Sequence, residues 1–335
     1  MPRARTGCRL SIVVPVTGDT AALEETLVSV LENRPAESEV LVGLGCEYAD
    51  PWNIAEEVTF VPSPRGYGVV GCVNAALDRA GGDVIHVLAA GYRATPGWTD
   101  GPVARIAAGD AAAVVPLAVA ADDPLRVVAA GLRVSRGGRR ISVVPRRSQA
   151  HADRYRPAPS RDPLGPSLVA GFWSAAALEH AGPRFAATCA SVADADLAVA
   201  LSRGGARTVV ATDSRVIPPS LPAAAVPAFI EGLHAERLFW RSRAGQGLAW
   251  SLAAHGVEVV RHAIATAPLG TVPMLVGRLV AALAVGSYLP RSRQLRSLME
   301  SAAADAGDVP ATIPLGVRDE RSPVDSAPVA RRRSA

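Results

Sequence analysis

Lysine is absent from this 335-residue chain; all 35 basic residues are arginine. A Gly-x-x-x-x-Gly-Lys phosphate loop is therefore excluded outright. Cysteine is scarce. Cys8, Cys46, Cys72 and Cys189 form no Cys-x-x-Cys pair, which argues against a zinc site and for buried thiols in a reducing cytoplasm. Of the six histidines, His86 lies in a strand-like run, and His234, His255 and His262 fall among C-terminal helices. No run of about 20 apolar residues occurs, so no spanning helix is expected. The nearest candidate, residues 273–289, is short and carries Arg278. Arg3, Arg5 and Arg9 lead straight into a strand, without the apolar segment and cleavage site of a signal peptide. The net charge of +4, part of it in Arg331, Arg332 and Arg333, is too small to imply nucleic acid as a partner.

What is present is a large apolar share, 49%, enough for a substantial core. Leu10–Val16 is a β-branched run that reads as a buried first strand. Thr17-Gly18-Asp19-Thr20 is a capping turn, and Leu23, Leu27, Val30 and Leu31 recur at helical spacing over residues 21–33. Strands are expected at 39–44, 58–61 and 83–88, with a helix at 69–79. This alternation predicts a three-layer α/β fold with a mixed, mostly parallel sheet. Ligands of such sheets sit beyond the carboxyl ends of the strands, here the loops after Val16, Leu44 and Leu88. Further on, a helix is expected at 101–109, a strand at 111–120, and a hairpin at 133–145 around Gly137-Gly138. A polar loop follows at 146–166, then a segment 167–180 ending in a helix, a helix at 194–203 and a strand at 208–211. Past Pro218-Pro219, residues 222–304 read as three or four helices, with Pro227 and Pro273 as helix starters. Leu275, Val276, Leu279, Val280 and Leu283 form an apolar stripe, expected to pack on the first domain, with membrane-surface contact as the other reading. The expected organisation is a domain at 9–218, a helical appendage at 219–304 and a disordered tail at 305–335.

These elements coincide with a familiar order of short motifs. Ser11 to Val16 followed by a capped helix, Arg65-Gly66-Tyr67-Gly68 with Asn74, and Gly82-Asp83 leading into a strand resemble the family 2 glycosyltransferases. So do Thr95-Pro96-Gly97-Trp98, Gly171-Phe172-Trp173, the segment 181–185, Asp194-Ala195-Asp196-Leu197 and Gly204-Gly205-Ala206-Arg207. The resemblance covers about residues 9 to 218. It implies the nucleotide-diphospho-sugar transferase (GT-A) fold and transfer of a sugar, with inversion, from a nucleotide-diphospho-sugar to a glycan or lipid-linked acceptor hydroxyl. It also implies bacterial surface-glycan assembly, cytoplasmic or at the inner face of the membrane. By the same resemblance Asp194 is the catalytic base and Asp196 its companion, while Pro15, Val16, Arg65, Gly66, Asn74, Ala89 and Gly91 contact the nucleotide-sugar.

The sequence departs from that family where a metal would be held. The family uses Mg or Mn on an Asp-x-Asp; here the position reads Ala89-Ala90-Gly91, whose side chains offer no oxygen ligand. The loop after Leu44 is also free of the usual acids, and Ala193 stands where the family has Glu. Asp83 sits at the other end of its strand, about 20 Å away; Asp50 and Asp100 are in flanking loops. No metal ligand is therefore assigned. Arg65, Arg93, Arg146, Arg147, Arg154 and Arg156 are candidates to neutralise a diphosphate, or a solvated surface. Trp98 and Trp173 are stacking platforms or core; Gly66 and Gly68 serve close ligand approach or a simple turn. The alternative to an enzyme is a degenerate homologue that binds nucleotide or sugar, or acts as a scaffold.

Overall fold

The computed structural model describes residues 10–64, 68–145, 151–155, 162–182, 184–220, 225–245 and 247–307. Its first strand, β1 (Leu10–Val16), is buried along its whole length, as a β-branched run with neighbours on both sides must be. Asp19 accepts a hydrogen bond from the Ala22 N–H and starts helix α1 (Thr20–Asn33). There follow β2 (Ser38–Leu44), β3 (Val58–Pro62), α2 (Gly68–Leu77), β4 (Val84–Leu88), β5 (Arg93–Ala94), α3 (Asp100–Ala107) and β6 (Ala113–Val119). The short strands β7 (Val127–Ala129), β8 (Leu132–Val134) and β9 (Arg140–Ser142) precede β10 (Ala170–Ser174), α4 (Ala175–His180), α5 (Ala193–Arg203) and β11 (Thr208–Ile217). Four helices close the described chain: α6 (Ala228–Ser242), α7 (Leu248–Ala265), α8 (Thr271–Leu283) and α9 (Leu289–Gly307).

The main sheet runs β3-β2-β1-β4-β10-β6-β11-β5, with β7 on the side of β6. β1 pairs in parallel with β2 and β4, and β6 with β11. β10 is antiparallel to both β4 and β6 and joins the two parallel halves. The expected mixed, mostly parallel sheet with a helical C-terminal region is what the structure shows. Segment 167–180 holds the strand β10, which sequence patterning passes over because Gly171-Phe172-Trp173 shows no alternation. The hairpin is β8–β9, and the last strand is longer than expected, ending at Ile217.

Trp98 and Trp173 are both fully buried, Trp173 edge-on to Phe185, so both belong to the core and neither is a ligand platform. α6 and α9 join the same core: Leu295 and Leu298 pack with Trp173, Phe185 and Leu201, and Leu238 packs with Leu132 and Ala198. The apolar stripe on α8 corrects an expectation. Met274, Gly277, Arg278 and Ala281 face inward, while Leu275, Val276, Leu279, Val280 and Leu283 are exposed and do not pack on the first domain. Of the tail expected at 305–335, residues 305–307 are the end of α9, and residues 308–335 lie outside the described residues.

Candidate active site at the carboxyl edge of the sheet

The carboxyl ends of β1 and β4 meet through the Ala90 N–H, which donates to the Pro15 carbonyl at 3.4 Å. Val16 is buried, and its carbonyl takes the Gly45 N–H at 2.8 Å, so its backbone closes the β1–β2 edge. Ala89-Ala90-Gly91 forms a tight turn at the end of β4. Gly91 has φ +88°, a region that favours glycine, and its N–H donates to Thr26 Oγ1 at 2.8 Å and to the Ala22 carbonyl at 3.0 Å. The turn is thus pinned to the first helix after β1.

Opposite this turn stands Asp194 in the first turn of α5. Arg140 on β9 grips it with two parallel hydrogen bonds, Nε to Oδ1 at 2.9 Å and Nη2 to Oδ2 at 2.7 Å. The backbone N–H of Leu168 donates to Oδ2 at 3.1 Å and that of Ala195 to Oδ1 at 2.8 Å. Ser167 Oγ lies 3.4 Å from Oδ2 and accepts from Arg140 Nη2 at 3.0 Å. Burial alone would lower the Arg140 pKa, but the hydrogen bonds and charge of Asp194 outweigh it, so the guanidinium stays charged. Burial also pushes the Tyr92 phenol up, and the Arg140 charge draws it part of the way back.

Segment Ser167–Leu168–Val169 links the two halves. The Val169 carbonyl accepts from Ala89 N–H at 2.9 Å, while Leu168 N–H holds Asp194. The structure therefore brings Pro15, Val16, Ala89, Gly91 and Asp194 to one edge, although they are dispersed in sequence.

Other predicted residues fall elsewhere. Asp196 is 3% exposed and is turned to the C-terminal helices. Arg241 of α6 binds it at 2.7 and 2.9 Å, and Arg291 of α9 at 2.8 Å, so its carboxylate anchors the C-terminal helices and has no free edge for an acceptor. Asn74 spends both ends of its amide on Phe185, Nδ2 to the carbonyl at 2.8 Å and Oδ1 from the N–H at 3.2 Å. That makes it a tie between α2 and residue 185 and removes it from donor contact. Arg93 is exposed and opens onto the α1 face beside Glu24, Glu25 and Trp52. Arg65, Gly66, Arg146, Arg147 and Arg156 lie outside the described residues, as does the side chain of Arg154. Arg140, Ser167 and Tyr92 had no sequence signal: nothing in a short hairpin marks which arginine will find a carboxylate 54 residues later.

The residues at the turn do not fit a divalent ion. Ala89 and Ala90 offer methyl groups, and hard cations want oxygen. The Asp50 carboxylate caps its own loop, accepting from Ile54 and Ala55 N–H at 3.0 and 3.2 Å, and Asp100 turns back toward Gly97. Among the described residues no cluster of three His, Cys, Asp or Glu side chains is placed to hold a metal.

The family model for Glycosyl transferase family 2 matches residues 11–156. Among solved structures, the chain resembles residues 1–349 of S. aureus TarS at 14% identity, with a TM-score of 0.52, covering 89% of this chain and 92% of that one. The same protein in complex with UDP-GlcNAc gives a TM-score of 0.53. GalNAc-T7 with UDP, GalNAc and Mn2+ gives 0.53 at 12% identity, over 77% of this chain and 58% of that one. At such identities the likeness establishes the fold. No curated protein matches the chain in sequence.

Proposed function

We propose that this chain, whose residues 11–156 match the glycosyl transferase family 2 model, transfers a sugar from a nucleotide-diphospho-sugar to an acceptor hydroxyl without a carboxylate-held metal at the Ala89–Gly91 turn. The observation that carries the reading is the juxtaposition of that turn with Asp194 across Ser167–Val169. The donor-side and base-side positions of the family stand on either flank of one three-residue segment. The acceptor oxygen attacks the anomeric carbon from the face opposite the diphosphate, and the nucleoside diphosphate leaves with the electron pair of the broken C–O bond. Asp194 takes the acceptor proton. It reaches that role only by releasing Arg140, whose side chain is 24% exposed. A donor diphosphate is the natural second partner for that guanidinium, since arginine binds carboxylate and phosphate in the same forked geometry. Arrival of the donor would then both neutralise the leaving group and free the base. Surface-glycan assembly, with a cytoplasmic donor and a glycan or lipid-linked acceptor at the inner face of the membrane, is the setting that the family resemblance supports.

One observation favours a non-catalytic reading: both Asp194 oxygens are engaged as the protein stands. The two separate in a panel of UDP-, GDP- and TDP-sugars offered with and without chelator. Nucleotide release that survives chelator and disappears in Asp194→Asn supports transfer. Thermal stabilisation with no release, even with acceptor extracts, supports binding alone. Stabilisation by none of the nucleotides counts against both.

A further inference from the structure

α7 and α8 leave most of their long apolar side chains in solvent. α7 turns Ser251 and His255 inward, and α8 turns Met274, Gly277, Arg278 and Ala281 inward. Their inner faces converge on one buried carboxylate of α6: Glu236 binds His255 Nε2 at 2.9 Å and Arg278 Nη1 at 2.9 Å. The outer faces carry the apolar side chains. Trp250, Val257 and Ile264 recur every seven residues on α7, and Leu275, Leu279 and Leu283 every four on α8; Ile264 is 72% exposed and Leu283 79%. Both helices also send a polar side chain to Glu236 and leave their apolar faces exposed, which is more apolar surface than scattered residues give.

Charge identifies what this surface fits. Between residues 248 and 299 the only acid is Glu258, which lies 3.7 Å from Arg139 and is largely covered. Exposed arginines border the apolar faces. At 3.6 residues per turn, Arg261 falls about 40° from Val257 on α7. Leu289, Arg293 and Arg296 share one side of α9, directly after the α8 stripe. Two exposed carboxylates lie nearby, Glu231, paired with His262 of α7 at 3.3 Å, and Glu300 beyond Arg296 on α9. An apolar face with exposed Arg261, Arg293 and Arg296 on its border is still complementary to anionic lipid headgroups over acyl chains. Spanning is a poor alternative. No single described helix is long and apolar enough to cross a membrane, α8 and α9 bend by 67°, and α9 is committed to the core through Arg291, Leu295 and Leu298.

We propose that α7 and α8 dock flat on an anionic lipid surface, the apolar faces entering the headgroup boundary and Arg261, Arg293 and Arg296 meeting the phosphates. This docking is independent of sugar transfer: a chain that never turned over would still bind.

The test is flotation of the full chain with vesicles of phosphatidylcholine alone or mixed with phosphatidylglycerol. Binding to the mixed vesicles is expected, weakening as salt rises. Arg293→Gln and Arg296→Gln should each reduce partitioning about fivefold, and Leu279→Asp should abolish it with an unchanged circular dichroism spectrum. A native probe guards against a misfolded variant: Trp250 fluorescence should shift to the blue on mixed vesicles, and Trp250→Phe should remove that shift. A wild-type chain that stays unbound with mixed vesicles overturns the proposal. So does equal, salt-insensitive binding to neutral vesicles, or a dimer in solution that Leu279→Asp breaks and that excludes vesicles, which would make a second copy the occupant.

Discussion

His86 is held in one neutral tautomer by its neighbours. Nδ1 lies 2.9 Å from the Gly171 carbonyl, so it carries the proton, and Nε2 accepts from Trp98 Nε1 at 3.1 Å. Phe172 stacks on the ring at 3.8 Å. Burial lowers the pKa to about 3, only partly opposed by the Gly171 bond. A folded-state pKa below the unfolded value means that the unfolded chain takes the proton first as pH falls. Stability is therefore full above the ordinary histidine value and is lost from there down to about 3, at about 1.4 kcal/mol per pH unit. Urea unfolding between pH 6.5 and 4 checks it: His86→Gln, which can still accept from Trp98 and cannot protonate, should show a slope shallower by about that amount. Equal slopes would remove His86 from the acid response. At Asp196 the expected effect is larger. Asp196→Ala leaves Arg241 and Arg291 buried without their anion and should cost about 3–5 kcal/mol in the same experiment. A loss under about 1 kcal/mol would mean that water reaches the guanidinium groups.

α6 and α8 touch through glycine. A Cβ on Gly277 would overlap the Phe229 carbonyl oxygen, and one on Gly232 the Met274 carbonyl oxygen, so each helix lies against the backbone of the other. Gly277→Ala should push them apart and destabilise by about 1–3 kcal/mol. Gly256, in the middle of α7, has nothing within 4 Å of its missing Cβ, and Gly256→Ala should stabilise by about 1 kcal/mol. Opposite signs in thermal melts of the two variants are the check; a neutral Gly277→Ala would mean that the helices adjust freely. Legibility in the sequence follows the same division. β1, β2, β3 and β4 were readable because short apolar runs stand between turn residues, and α1 because its stripe and Asp19 cap are local. Periodicity also showed the α8 stripe, but a period gives the width of an apolar face and not the direction in which it points. Nor does any local pattern announce that Asp194 will meet Arg140, or that Asp196 will meet an arginine 95 residues further on.

At the scale of the whole chain, the C-terminal helices divide into two pairs that the sequence groups together. α6 and α9 lend Leu238, Leu295 and Leu298 to the same clusters as Trp173, Leu197 and Ala198, and both hold Asp196 through an arginine. They are part of the sheet domain's core. α7 buries only Ser251 and His255 and contributes no side chain to the main core clusters. Elements with few buried apolar contacts open well below the global free energy. Amide hydrogen exchange should therefore separate the pairs: α7 exchanging first, α8 slower because of its glycine seam and Arg278, and α6 and α9 last, together with β10. Adding phosphatidylglycerol vesicles should slow α7 and α8 while leaving α6 and α9 as they were. If α7 and α9 exchanged at one rate in free solution, the four helices would be a single cooperative unit, and the outer pair would owe its order to contacts other than Glu236.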